Sequence, residues 1–111
     1  MHDVFVDELL LITPLRDTVG VRLYGEAIGV HRAPLAVAVT EHSRSAEEIT
    51  IDLTRVEYVS NAILETLVVL AKRLGPAQRL CVRTSPELGL EDRLAAQGWD
   101  KIESLRVSSA A

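Results

Sequence analysis

Residues 51–67 read IDLTRVEYVSNAILETL, and the change of period inside this stretch decides the fold. Ile49, Ile51 and Leu53 alternate with polar neighbours, the period of two expected of a strand with one buried face. Ile63, Leu64, Leu67, Val68, Ala71 and Leu74 then recur at spacings of three and four, one wide apolar stripe of a helix. Lys72 and Arg73 fall in its last turn, where the helix dipole favours cations, and Gly75-Pro76 is a stop signal. Between strand and helix stand Ser60, Asn61 and Ala62. A small polar cluster opening an apolar helix serves as an N-cap, as an anion site or as a phosphorylation switch, and these residues have to decide which.

Working outward, ELLLITPL and VGVRLYGEA read as two extended segments joined around RDTVG. Val19, Val21 and Leu23 alternate with Gly20, Arg22 and Tyr24, so the pair is expected as a hairpin turning at Asp17 and Gly20. RAPLAVAVTEH reads as a helix with Pro34 at its first position and Leu35, Ala38, Val39 and His42 on one face. SRSAEE is a polar loop. RLCVRT is a further strand, and SPELGLEDRLAAQG a helix with Ser85 as N-cap, Pro86 at the first position and Gly98 at its end. DKIESLRV gives a last short strand. The order β-β-α-β-α-β-α-β calls for right-handed crossovers and a mostly parallel sheet after the hairpin. The expected fold class is α/β, with a four- or five-stranded sheet and helices packed on it.

At 111 residues the chain is expected to be one domain, 1–111, with its core over about 9–107 and loose ends at 1–8 and 108–111. Aromatics are only 4%, so the core has to be built from Leu, Val, Ile and Ala. The net charge of −4, with no basic stripe or aromatic ladder, speaks against nucleic acid as a partner. No apolar run is long enough to insert into a membrane. The first residues carry acids where a signal peptide would carry Lys or Arg, so a cytoplasmic protein is expected. An acidic face around Asp7, Glu8 and Asp17 is a candidate for steering a basic partner.

Enzyme constellations are missing. The six glycines are isolated, so no phosphate loop forms. His2, His31 and His42 lack metal spacing, and no metal or other cofactor is implied. Glu47 and Glu48 sit side by side in a loop as a solvated edge. Asp52 is a half-buried strand carboxylate without a partner base or nucleophile. Cys81 is the only cysteine and reads as a small buried core residue. The chain is expected not to be an enzyme.

At the strand–turn–helix the sequence resembles a STAS domain, the fold of bacterial anti-sigma-factor antagonists and of the cytoplasmic tails of sulphate transporters. Asp52 and Leu53 match the family's strand end. Val56, Tyr58 and Val59 match the apolar positions of the bridge, and Leu64 and Leu67 the helix face. RLCVRTSPELGLEDRLAAQGWDKIESL follows the family's layout of strand, Ser-Pro helix start, amphipathic helix, Gly and final strand, and VRLYGEAI resembles its second strand and the turn after it. The resemblance runs from about residue 9 to 107.

The departures fall at the family's Asp-Ser-Ser-Gly. Counted without a gap from Asp52, Ser60 stands at the Asp, Asn61 at the serine that is phosphorylated, Ala62 at the second serine and Ile63 at the glycine. In the other loop Gly25 and Glu26 match, while Ile28 replaces an Asp. The resemblance implies a partner-binding surface of Gly25, Glu26, Ile28, Ser60, Asn61, Ala62 and Ile63, with Ile28 and Ile63 exposed. Asn61 accepts no phosphate, so the family's switch is absent at its usual position, and Ser60 is a displaced candidate acceptor. One of Ser60 and Asn61 is expected to cap the helix.

The implied function is non-catalytic binding of an ATPase-like anti-sigma factor without the usual serine switch. The alternative is a STAS scaffold, either a homodimer or larger stress-sensing assembly or the small subunit of a membrane transport system. A small-ligand sensor using the helix start as an anion cradle ranks behind both.

Overall fold

The computed structural model describes residues 4–41 and 46–109. Six strands form one sheet in the order β1-β2-β3-β4-β5-β6, so every strand lies beside its chain neighbours. β1 (Phe5–Val6), β2 (Leu10–Pro14) and β3 (Gly20–Ala27) make antiparallel pairs. β4 (Glu48–Val59), β5 (Arg79–Thr84) and β6 (Leu105–Ser109) continue in parallel with β3. The helices are α1 (Arg32–Glu41), α2 (Asn61–Lys72) and α3 (Leu90–Ala96). The α/β architecture and the hairpin are as the sequence implies. The strand count is six and not four or five, because Phe5 and Val6 pair with Leu11 and Ile12.

The alternation read from the sequence gives the sheet one buried face. Leu10, Ile12, Val21, Leu23, Ile49, Ile51, Leu53, Leu80 and Val82 lie in a single core with Leu35, Ala38 and Val39 of α1, Ile63, Leu64, Leu67, Val68 and Ala71 of α2, and Leu90 and Leu94 of α3. Helices therefore cover one side of the sheet. The other side carries Arg22, Asp52, Cys81, Arg83 and Arg106. Cys81 is half-buried on that face rather than in the core, since Leu80 and Val82 take the inward positions. Burial, then nearby Glu48, push its thiol above the ordinary range, against the pull of Arg106, Arg79 and Arg83.

Three boundaries differ from the expected ones. A 3-10 turn over Gly29–His31 precedes α1, which begins at Arg32, so Pro34 is its third residue. That position is still in the first turn, where no backbone N–H is required. The Ser85-Pro86 helix is two pieces: a 3-10 turn over Pro86–Leu88 stops at Gly89, whose left-handed φ of 58° precedes α3. Ser85 occupies the cap position of that turn but makes no side-chain cap bond. The last strand starts at Leu105 and not at Asp100, and it pairs through Ser109 with Thr84. His42, expected on the inward face of α1, lies outside the described residues, as does His2.

β4 is longer than the alternation suggested because the bridge after Leu53 remains strand. Register breaks against β3 between Arg22 and Tyr24 and again between Gly25 and Glu26 let a bulged β4 stay paired to its end at Val59. Val56 and Val59 point inward, whereas Tyr58, expected among the apolar bridge positions, is 52% exposed. These bulges set where Ser60 emerges.

Candidate functional site

Ser60 leaves β4 in an extended conformation (φ −77°, ψ 162°) and caps α2. Its Oγ accepts from the Ile63 N–H at 3.4 Å, and its carbonyl accepts from Ile63 and Leu64 at 3.1 and 3.2 Å. The 3.4 Å bond is long, so this cap sits at the weak end of the usual range. The Ser60 N–H donates to the Ala27 carbonyl at 2.9 Å, which ties the helix start to the end of β3. Across that tie Gly29 faces Ala62, close enough that a Cβ on Gly29 would lie 3.9 Å from the Ala62 Cβ.

The structure thus gathers Gly25, Glu26, Ile28, Ser60, Asn61 and Ala62 at one end of β3 and β4. Glu26 and Asn61 are exposed, and Ile28, Ser60 and Ala62 are half-buried. Ile63 departs from the expectation: it is 0% exposed and belongs to the core. At the third helical position its side chain turns beneath the cap, the same inward direction taken by Leu64 and Leu67. Gly25 also has a structural reason to be glycine, being at φ 106° where a Cβ would come within 2.1 Å of the Leu9 carbonyl.

Asn61 is held by a residue that sequence reasoning did not single out. One guanidinium nitrogen of Arg93, on α3, donates to Asn61 Oδ1 at 3.0 Å and to the Val59 carbonyl at 2.7 Å. The bond fixes the amide with its oxygen toward Arg93, leaving its N–H groups toward solvent. Arg93 is thirty-two residues from Asn61 in sequence, so no local pattern announces the pair. The same surface carries Val30, 72% exposed, and Tyr58, paired in register with Glu26. On its α1–α2 side an exposed ion pair joins Arg32 to Glu65 at 3.2 Å.

The loop between β3 and α1 is braced from below by His31, which is fully buried. His31 Nδ1 accepts from the Ile28 N–H at 3.0 Å, so the ring proton sits on Nε2 and is donated to Asp7 Oδ2 at 2.7 Å. The edge of Phe5 packs on the same ring with centroids 5.8 Å apart. Asp7 Oδ1 accepts from Leu9 and Leu10, both at 2.8 Å. The Leu10 amide, followed by His31, holds the Asp7 carboxyl below its ordinary range. Asp7, read from sequence as part of an acidic steering face, is thus a brace, through His31, for the turn between β3 and α1; Gly25 and Glu26, read from sequence as a loop, lie within β3.

Asp52 is a structural carboxylate, 3% exposed. It pairs with Arg22 at 3.0 Å and accepts from the Thr54 N–H at 2.9 Å and the Thr54 hydroxyl at 2.6 Å. Burial works to raise its pKa, but the Thr54 and Arg22 bonds outweigh it and the net shift is downward. All its partners are structural, and it lies beside the first register break of β4. Among the described residues no cluster of His, Cys, Asp and Glu has the makings of a metal site, and no helix is long and apolar enough to cross a membrane.

Residues 13–107 match a protein-family model described as "Mlab, STAS domain". Among solved structures, an anti-sigma factor antagonist from Mycobacterium paratuberculosis is similar, with a TM-score of 0.68 and 25% sequence identity over 87% of this chain and 83% of that one. No curated protein matches the chain by sequence.

Proposed function

This chain belongs to the STAS domain family, and from that premise we propose that it is a non-catalytic protein-binding module of the anti-sigma-factor-antagonist kind, working in the cytoplasm without the family's serine switch. The observation that carries the reading is the surface on which the end of β3, at Gly25 and Glu26, and the start of α2 meet, joined by the Ser60–Ala27 bond. At its centre Asn61 replaces a modifiable serine and is locked by Arg93.

A phosphate at a helix start adds nearly two negative charges to a flat docking face and repels a partner. Asn61 has the neutrality of the unmodified state, and with its oxygen engaged by Arg93 it offers N–H donors to a partner's carbonyls or carboxylates. Val30 and Tyr58, both exposed, and half-buried Ile28 and Ala62 on the adjoining segments add apolar contact area. The partner is an ATPase-like anti-sigma factor, and binding is constitutive or controlled from the partner's side. Ser60 is already spent on the cap, and its role is structural.

The test is a tagged pull-down from native cytosol with mass spectrometry, repeated with Ser60→Ala. Recovery of an ATPase-like anti-sigma factor by both proteins is the expected result. Recovery of transport subunits, or of the chain alone, overturns the partner and leaves the scaffold reading. Binding that escapes regulation in Ser60→Ala, where the wild type is regulated, makes Ser60 an acceptor after all.

A further inference from the structure

On the side of the sheet that bears no helix, the β5–β6 region around Cys81 has a charge opposite to that of the protein. Around Cys81 the strand register places Arg79, Arg83 and Arg106 with Glu48, and beyond them Arg22 with Asp52, while the whole chain has 16 acidic and 12 basic residues. Asp52 is committed to Arg22 and Thr54. Among the described residues, neither Arg79, Arg83 nor Arg106 forms an ion pair, and all three are exposed. They surround one point: the charges acting on the Cys81 thiol are Glu48, Arg106, Arg79 and Arg83.

The register fixes their spacing. Arg79 and Arg83 are two residues either side of Cys81 on β5, about 13 Å apart along the strand. Arg106 sits opposite Cys81 on β6, about 4.8 Å to the side. Neighbouring members of this triangle are therefore about 8 Å apart at the backbone, close to the roughly 7 Å between alternate side chains of an extended chain. Guanidinium groups bind carboxylates through two parallel hydrogen bonds.

We propose that the open face of β5 and β6 is a second docking surface, on which Arg79, Arg83 and Arg106 bind an extended acidic segment of a protein partner, with carboxylates at alternate positions. Charge complementarity and pleat spacing select this occupant over nucleic acid: the described residues around Cys81 provide no aromatic platform on which bases would stack. The surface is separate from the helix-start site, on the side of the sheet that faces away from α2.

The probe is a fluorescein-labelled peptide of alternating Glu and Ser, about eight residues long so as to span the triangle, with an alternating Lys-Ser peptide and a single-stranded oligonucleotide as comparators. Binding is read by anisotropy, and its location by slowed maleimide labelling of Cys81, the only thiol in the chain. The acidic peptide should bind and slow labelling, and Arg83→Gln/Arg106→Gln should weaken binding about tenfold or more through the loss of two charge-assisted contacts. Lys101→Gln, which removes an exposed charge elsewhere, should leave binding unchanged. Unchanged far-ultraviolet dichroism keeps the double variant interpretable. The proposal is overturned by no acidic-peptide binding, by equal loss in Lys101→Gln, by binding without Cys81 protection, or by protection from the oligonucleotide alone.

Discussion

Gly25 sits at φ 106°, and a methyl group there would lie 2.1 Å from the Leu9 carbonyl. That carbonyl also accepts the Glu26 N–H at 2.9 Å, so it has no freedom to withdraw. Gly25→Ala is expected to cost more than about 2 kcal/mol, by backbone strain and loss of the β2–β3 contact, measurable as a shift of the urea midpoint. Ser60→Ala removes only the long cap bond and should cost about 0.5–1 kcal/mol. The glycine was legible in the sequence as part of a matching Gly-Glu loop, but its clash partner was not, because Leu9 reaches it only through the hairpin. Ile63 was misread for a related reason. Position counting along the motif placed it at the docking face, whereas the helical stripe of Ile63, Leu64 and Leu67 already placed it in the core.

β3 and β4 are where local patterning stops and tertiary pairing takes over. The alternation of Ile49, Ile51 and Leu53 identified the first half of β4. The second half was hidden because its bulges break the period of two, and because they are set by pairing with β3 and not by local sequence. α3 shows the converse: SPELGLEDRLAAQG has the start and stop signals of one helix, but Gly89 inside it takes a left-handed φ of 58° and splits it. The Asp52 cluster makes a pH prediction. Asp52 and Asp7 are both held below the ordinary carboxyl range, so the unfolded chain takes up protons first as pH falls. The stabilisation is complete above the unfolded carboxyl value of about 3.9 and is lost as pH drops through the lower folded values. The melting temperature should therefore hold from neutral pH to mildly acidic pH and fall below about pH 4. Asp52→Asn should lower stability at neutral pH by about 1–3 kcal/mol through lost and unbalanced hydrogen bonds, with a lower melting temperature, and should flatten the acid slope. An unchanged slope in that variant would remove Asp52 from the account.

Over the whole molecule, a one-sided sheet leaves two kinds of surface. The helical side is closed by the core, and its large exposed apolar residues, such as Val30, Val37 and Val69, are scattered through α1, α2 and the turn between β3 and α1. The open side is polar, and among the described residues its Arg79, Arg83 and Arg106 form no ion pair and repel a copy of themselves. Neither surface is the broad apolar face that a permanent homodimer buries. The Cα radius of gyration of 12.7 Å is that of a compact single chain, for which size scaling gives about 13 Å. Small-angle scattering should accordingly return a value near that of one chain and independent of protein concentration, where a dimer would approach about 17 Å. The distinction bears on function because partner switching needs the helix-start surface free for a transient partner, whereas a scaffold holds its interface permanently closed. A concentration-independent monomer is the state in which Asn61, Ile28 and Tyr58 stay available. A dimer that persists on dilution would place them, or the β6 edge, in a permanent contact and favour the scaffold.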